Sequence, residues 1–367
     1  MTTIAVESAD RRLMEGSEAI ALASIAAGCR FFAGYPMTPF TEVLESMAKL
    51  LPEVGGTCIN AESELEAIGM AWGAAATGTP AATGSTGQGL SLMQESLAEI
   101  TYARLPLVVL NMARAQGDYF QATRGGGHGD YRHIVLAPCD VNEATVLVQE
   151  AFYLAATWRN PVLVMGDYYI AHTWQTVDVG PIDFGARPPM DWAVNGCTGG
   201  TGRAKLISPL GDTKRTDGDG YDLADFYQRR GRELDVMAAT VPPRAEVAFV
   251  EDARLVAVAF GTVGKYVRQA VRDLRTEGLP VGFIRPITLF PFPTQVIRDA
   301  AAHVDAFAVY ENNRGQMVED VQLAVLGRAD VSSIGGLSMD SSGFGIAPDL
   351  DVASVRTRIR TALEALV

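Results

Sequence analysis

The sequence predicts an α/β protein: a doubly wound parallel sheet followed by a second, smaller α/β unit. Three observations carry this reading. From Gly16 onward, helix-like and strand-like segments alternate. Two of the strands, at residues 106–112 and 161–166, are unbroken apolar runs, the mark of strands covered on both faces. After a polar stretch rich in Gly and Pro, the alternation resumes near Ala253.

Taken in order, residues 15–27 read as an alanine-rich helix ended by Gly28, and residues 31–34 as a short strand that breaks at Tyr35-Pro36-Met37-Thr38-Pro39. Residues 38–51 read as a helix with Thr38 as its N-cap and Pro39 in its first turn. A carboxylate-rich entry, Ala61-Glu62-Ser63-Glu64-Leu65-Glu66, opens a small-residue helix. A short strand then leads into the glycine-rich turn Gly84-Ser85-Thr86-Gly87-Gln88-Gly89. Between the two apolar strands, residues 114–132 are rich in Gly, Asp and His, too polar for a core element and too long for an ordinary turn. Composition changes after Gly180. Residues 181–245 contain Pro188-Pro189, Thr198-Gly199-Gly200-Thr201-Gly202 and Asp217-Gly218-Asp219-Gly220, with one polar helix over 222–234. In the second unit, strands are expected at 255–260, 281–284 and 306–309, with a helix from the turn at 261–264 to about Glu277. The expected division is 1–180, a linker over 181–250, and 251–367.

Composition excludes several classes. Of 367 residues, 48% are apolar and 20% charged, as in an ordinary globular protein with room for two or three cores. No apolar stretch approaches the roughly 18 residues that a spanning helix requires, so no membrane role is expected. Residues 1–12 lack an apolar signal core, and a cytoplasmic location is expected. A net charge of −13 argues against nucleic acid as a partner. The four cysteines (Cys29, Cys58, Cys139, Cys197) are dispersed, with no CxxC pair. They read as buried free thiols, and no iron–sulfur cluster is expected on this chain.

Glu64 begins a helix facing a glycine-lined crevice, a suitable place to protonate a ring nitrogen. The ordinary alternative is pairing with the helix dipole. Thr38 and Arg114 follow strand ends, where α/β sheets bind ligands. Their plainer readings are an N-cap and a solvated loop arginine.

Together the segments Gly34-Tyr35-Pro36-Met37-Thr38-Pro39, Glu62-Ser63-Glu64, Gly87-Gln88-Gly89-Leu90-Ser91-Leu92-Met93-Gln94-Glu95, the run from Asp118-Tyr119-Phe120-Gln121 to Gly127-His128-Gly129-Asp130, Pro291-Phe292-Pro293 and Glu311-Asn312-Asn313-Arg314-Gly315-Gln316 resemble the α subunit of 2-oxoacid:acceptor (ferredoxin) oxidoreductases. The 118–130 run is most similar to the branched-chain, 3-methyl-2-oxobutanoate (VorB) type. The resemblance implies a thiamine-diphosphate pyrimidine-binding domain, a linker and a domain like the C-terminal domain of transketolase. It implies oxidative decarboxylation of a 2-oxoacid to acyl-CoA and CO2, with electrons passing to iron–sulfur partners. It assigns Glu64 to cofactor activation, with Glu62 and Glu66 as local decoys. Thr38 and Arg114 would bind the substrate carboxylate or keto oxygen. Gly87 and Gly89 would let backbone approach the aminopyrimidine, or serve only tight packing. His128 would bind substrate or cofactor, or organise its loop. The Glu311–Gln316 run would cap the site or form an interface.

The resemblance also implies that thiamine diphosphate is shared. The Mg2+–diphosphate half and a [4Fe–4S] cluster would lie on a β subunit, with γ/δ-type subunits, coenzyme A and ferredoxin or another acceptor as further partners. The sequence supports this division: its one Gly-Asp-Gly (Gly218-Asp219-Gly220) and its one Asn-Asn (Asn312-Asn313) are too far apart for the Mg2+ motif. Only Ala115-Gln116-Gly117 separates Arg114 from the 118–130 run, a shorter loop than many family members carry. A pocket open to aromatic as well as branched 2-oxoacids is therefore expected. 2-Oxoglutarate and a non-catalytic assembly scaffold that retains the fold are the alternatives.

Overall fold

The computed structural model describes residues 11–195, 223–336 and 350–366. A short β1 (Arg12–Glu15) leads into α1 (Gly16–Ala26), β2 (Phe31–Gly34), α2 (Thr41–Leu50), β3 (Thr57–Asn60), α3 (Glu64–Ala76), β4 (Ala81–Ser85), α4 (Gly87–Tyr102) and β5 (Leu107–Ala113). Next come α5 (Tyr119–Thr123), β6 (Ile134–Leu136), α6 (Val141–Trp158), β7 (Pro161–Asp167), α7 (Tyr168–His172) and β8 (Trp174–Val177). The remaining elements are α8 (Leu223–Thr240), β9 (Ala245–Ala248), β10 (Leu255–Val258), α9 (Gly261–Thr276), β11 (Val281–Pro286), β12 (Thr288–Phe290), α10 (Thr294–Ala300), β13 (Ala306–Val309), α11 (Met317–Val325), β14 (Asp330–Ser333) and α12 (Val352–Glu364).

Strands β2 to β7 form a parallel sheet in the order β6-β7-β5-β4-β2-β3, and the predicted buried strands β5 and β7 lie at its centre. Helices cover both faces. Two large apolar clusters result, one containing Ile68, Met93, Leu97 and Leu163, the other Ile20, Phe32, Met47 and Val148. The second sheet runs β14-β13-β10-β11-β9, parallel except for β9.

The two halves are stitched together. β12 leaves the second half to pair antiparallel with β6, adding a seventh strand to the first sheet. Arg285 in β11 donates to both oxygens of Glu143 in α6, at 2.8 and 3.0 Å, and to Glu246 in β9 at 2.9 Å. A bidentate guanidinium–carboxylate pair fixes orientation as well as distance.

Three expectations are corrected. Helix α2 starts at Thr41, and Thr38 does not cap it. Phe40 is fully buried against Gly34 and Gly84, and a turn closed by Phe40 N–H to Met37 O (2.7 Å) uses residues 37–40 to place it. The polar helix runs past Leu234 to Thr240 because Leu234, Met237 and Val241 bury one face in the core. The glycine-rich turn is tighter than expected, since α4 already begins at Gly87. Cys197 and the Gly218-Asp219-Gly220 motif lie outside the described residues. Cys29 and Cys139 are buried free thiols pushed up to about 12 by desolvation, and half-buried Cys58 is pushed up to about 11. Among the described residues, no helix is long and apolar enough to cross a membrane.

Candidate active site

The parallel strands β2, β4 and β5 end together, and the residues that follow them line a crevice at the carboxyl edge of the sheet, where α/β folds bind ligands. Ser63 caps α3 by accepting from Glu66 N–H at 3.3 Å, so Glu64 is the first helical residue. Its neighbours Glu62 and Glu66 are exposed, whereas Glu64 is only 3% exposed. Its Oε1 accepts from Ser85 Oγ at 2.8 Å, at the end of β4. Gly89, in the first turn of α4, packs directly on this pair. A Cβ there would overlap both Glu64 Oε1 and Ser85 Oγ.

A cleft of about 300 Å3 opens beside it, lined by Gly87, Gln88, Ser91, Arg114, Asp118 and Gln121 among others. Arg114 Nε donates to the backbone carbonyl of Thr38 at 3.0 Å, so the two predicted residues meet through the main chain. Gly87 is bare because a side chain there would overlap the Asp118 carboxylate. Burial raises the pKa of Asp118, while a hydrogen bond from Asn111 Nδ2 (3.0 Å) and the charge of Arg114 act the other way. Asn111 Oδ1 is buried without a hydrogen-bond partner among the described residues.

His128 is not brought to this group. Its Nε2 lies 3.0 Å from Glu99 Oε1, and its ring is 6.0 Å from that of Tyr102. Both partners are near the far end of α4, roughly 18 Å along the helix from Gly87. The glycine-rich segment is laid along α4 because Tyr131 Oη accepts from Gly126 and Gly127 N–H and donates to Gln94 Oε1. His128 thus sits in a loop-organising position.

The sequence reading did not assign Ser85, Asn111, Gln116 or Asp118. The signal that could have found Asn111 is a lone polar residue inside an otherwise apolar strand. Gln116 ties the loop to the second half: Asn312 N–H donates to its Oε1 (2.8 Å), its Nε2 donates to Phe260 O (3.0 Å), and Asn313 Nδ2 donates to its carbonyl (2.8 Å). The Glu311–Gln316 run therefore makes an interface within the chain, against the loop that carries the site.

Two family models match. "Pyruvate flavodoxin/ferredoxin oxidoreductase, thiamine diP-bdg" covers residues 22–190 and "Pyruvate:ferredoxin oxidoreductase core domain II" covers residues 253–341. Ketoisovalerate oxidoreductase subunit VorB of Methanothermobacter thermautotrophicus is 37% identical over 324 residues, spanning 85% of this chain and 89% of the relative.

The chain belongs to the 2-oxoacid:ferredoxin oxidoreductase family.

Within that family, 2-oxoglutarate synthase subunit KorA of the same organism is 33% identical over 356 residues, covering 88% of this chain and 94% of the relative. The solved 2-oxoglutarate:ferredoxin oxidoreductase of Magnetococcus marinus, with 2-oxoglutarate, coenzyme A and succinyl-CoA bound, superposes with a TM-score of 0.78 at 26% identity. That match covers 96% of this chain and 65% of the solved one. A split-gene transketolase shares the fold at a TM-score of 0.58 and 15% identity, covering 96% of this chain and 98% of the other.

The crevice suits the aminopyrimidine half of thiamine diphosphate: a buried carboxylate is held beside glycines that admit no side chain. Among the described residues, no group of three or more carboxylate, His or Cys side chains is placed to hold a metal. Asn313 is already committed to Gln116, Glu311 and Gly315.

Proposed function

We infer that this chain is the α subunit of a multi-subunit 2-oxoacid:acceptor oxidoreductase that oxidatively decarboxylates a monocarboxylic 2-oxoacid to its acyl-CoA. The observation that carries the reading is Glu64, which alone of the three carboxylates Glu62, Glu64 and Glu66 is buried, held by Ser85 against Gly89. Thiamine diphosphate, its aminopyrimidine half held by Glu64, Gly87 and Gly89, would supply a nucleophilic carbon and an electron sink for the decarboxylation. Glu64 moves a proton at the aminopyrimidine ring nitrogen, and Ser85 fixes the carboxylate oxygen that does not carry it. Arg114, steadied by Thr38 O, presents its remaining N–H groups to the substrate carboxylate. A β subunit supplies the Mg2+–diphosphate site and the iron–sulfur cluster. Segments 1–180, 181–250 and 251–367 serve as pyrimidine-binding domain, linker and transketolase C-terminal-like domain.

The cleft favours a monocarboxylate over 2-oxoglutarate. Arg114 is the one cationic side chain among its described lining residues, and Asp118 beside it repels a second carboxylate. Ala115 and Gly117 leave room for a branched or aromatic side chain. Turnover of the purified complex with branched, aromatic and dicarboxylic 2-oxoacids, coenzyme A and a viologen dye tests this. Branched or aromatic acids should exceed 2-oxoglutarate in kcat/KM, and preference for 2-oxoglutarate would overturn the substrate reading.

A further inference from the structure

A second cleft, of about 470 Å3, lies where α8 crosses the end of α6 and the turn after α4. The length of α4, about 24 Å, separates it from Gly87. Five arginines line it (Arg104, Arg159, Arg229, Arg230 and Arg232), and Glu233 is the one carboxylate among its described lining residues. In a chain of net charge −13, such a concentration of guanidinium groups runs against the overall field.

The cluster is built. Arg159 Nε donates to Arg104 O at 3.0 Å, and both residues hold positive φ, at 48° and 56°, which non-glycine residues seldom adopt. Arg230 is 4% exposed and donates to Asn160 Oδ1 (2.7 Å) and Glu233 Oε2 (3.1 Å). Glu233 Oε1 also takes Arg104 at 3.2 Å, so its two oxygens are committed to two of the five cations. The Nε atoms of Arg104 and Arg230 are buried without hydrogen-bond partners among the described residues. Burial lowers Arg159 to about 10, with Arg104 and Arg230 acting the same way and Glu233 and Asp191 opposing them. On α8, Arg229 and Arg232 are three residues apart and so share a face.

We propose that this cleft binds a small phosphate-bearing anion of di- or triphosphate size. Planar guanidinium forks match phosphate oxygens in pairs, and the volume lies in the range of small-molecule sites. The site is independent of the 2-oxoacid reading.

Isothermal titration of the full chain with pyrophosphate, ADP and citrate at physiological salt tests it. Pyrophosphate and ADP should bind saturably. The pair Arg229→Gln and Arg232→Gln, on the rim of the cleft, should weaken both by at least about tenfold without changing the circular dichroism. Arg232→Glu alone should act in the same direction. Absence of saturable binding, unchanged affinity in the double variant, or tighter binding of citrate than of pyrophosphate would each overturn the proposal.

Discussion

Gly89 and Glu64 are packed so closely that residue 89 has no room for even one carbon: a Cβ there would overlap the carboxylate that Ser85 holds. The glycine is a steric requirement of the glutamate's position. Gly89→Ala should therefore lower turnover sharply while α4 still forms, because alanine is the better helix former by roughly 0.5–1 kcal/mol. Circular dichroism beside steady-state assay of the complex checks this. Full activity would mean that Glu64 can shift without consequence.

Arg114→Lys should act mainly on KM. Lysine offers a point charge where arginine offers a fork, and it also loses the Nε bond to Thr38 O. If the carboxylate is gripped alike in ground and transition states, kcat changes little. A fall in kcat alone, with KM unaltered, would move Arg114 out of substrate binding.

Glu311 organises the second half. It is fully buried, and its carboxylate accepts from the N–H groups of Gln316, Met317 and Val318 (3.0, 2.9 and 3.1 Å) and from Asn313 Nδ2 (2.9 Å). These bonds place a negative charge at the start of α11. Glu311→Gln turns one acceptor oxygen into a donor facing donors, at a cost of about 3 kcal/mol. Urea unfolding should show the loss, and release of the loop at Gln116 should lower activity with it.

His133 is buried, and desolvation holds its pKa down to about 3, against a weaker upward pull from a hydrogen bond to the Leu97 backbone. The unfolded chain takes up this proton near pH 6.5 and the folded chain does not. The contribution to stability is complete above about pH 6.5 and is lost as pH falls towards 3. Between pH 7 and 5 the loss from this residue should be about 2 kcal/mol. Unfolding of His133→Leu at the two pH values should lack that part of the slope.

Much of this was legible locally. The strands at Phe31–Gly34 and Ala306–Val309 follow from short apolar runs bounded by breakers, and the start of α3 from Ser63 ahead of its acids. What escaped depends on distant partners. Thr38 reads as a cap until Phe40 is seen buried against Gly34 and Gly84. The pairing of β12 with β6 joins residues about 150 positions apart, and no turn signal encodes it. His128 shares a glycine-rich segment with cleft-forming neighbours, yet Tyr131 draws that segment along α4 and away from the crevice. Asp118 lies in a recognised motif, but only the structure sets it beside Gly87, Asn111 and Arg114.

Glu64→Gln carries the central claim. The amide keeps the shape and can still accept from Ser85 Oγ, but it cannot exchange a proton with a ring nitrogen. Turnover of the assembled complex, with thiamine diphosphate present and subunit composition confirmed by size-exclusion chromatography, should fall by about 10²–10⁴-fold. Near-normal turnover in a fully assembled Glu64→Gln complex would contradict the account.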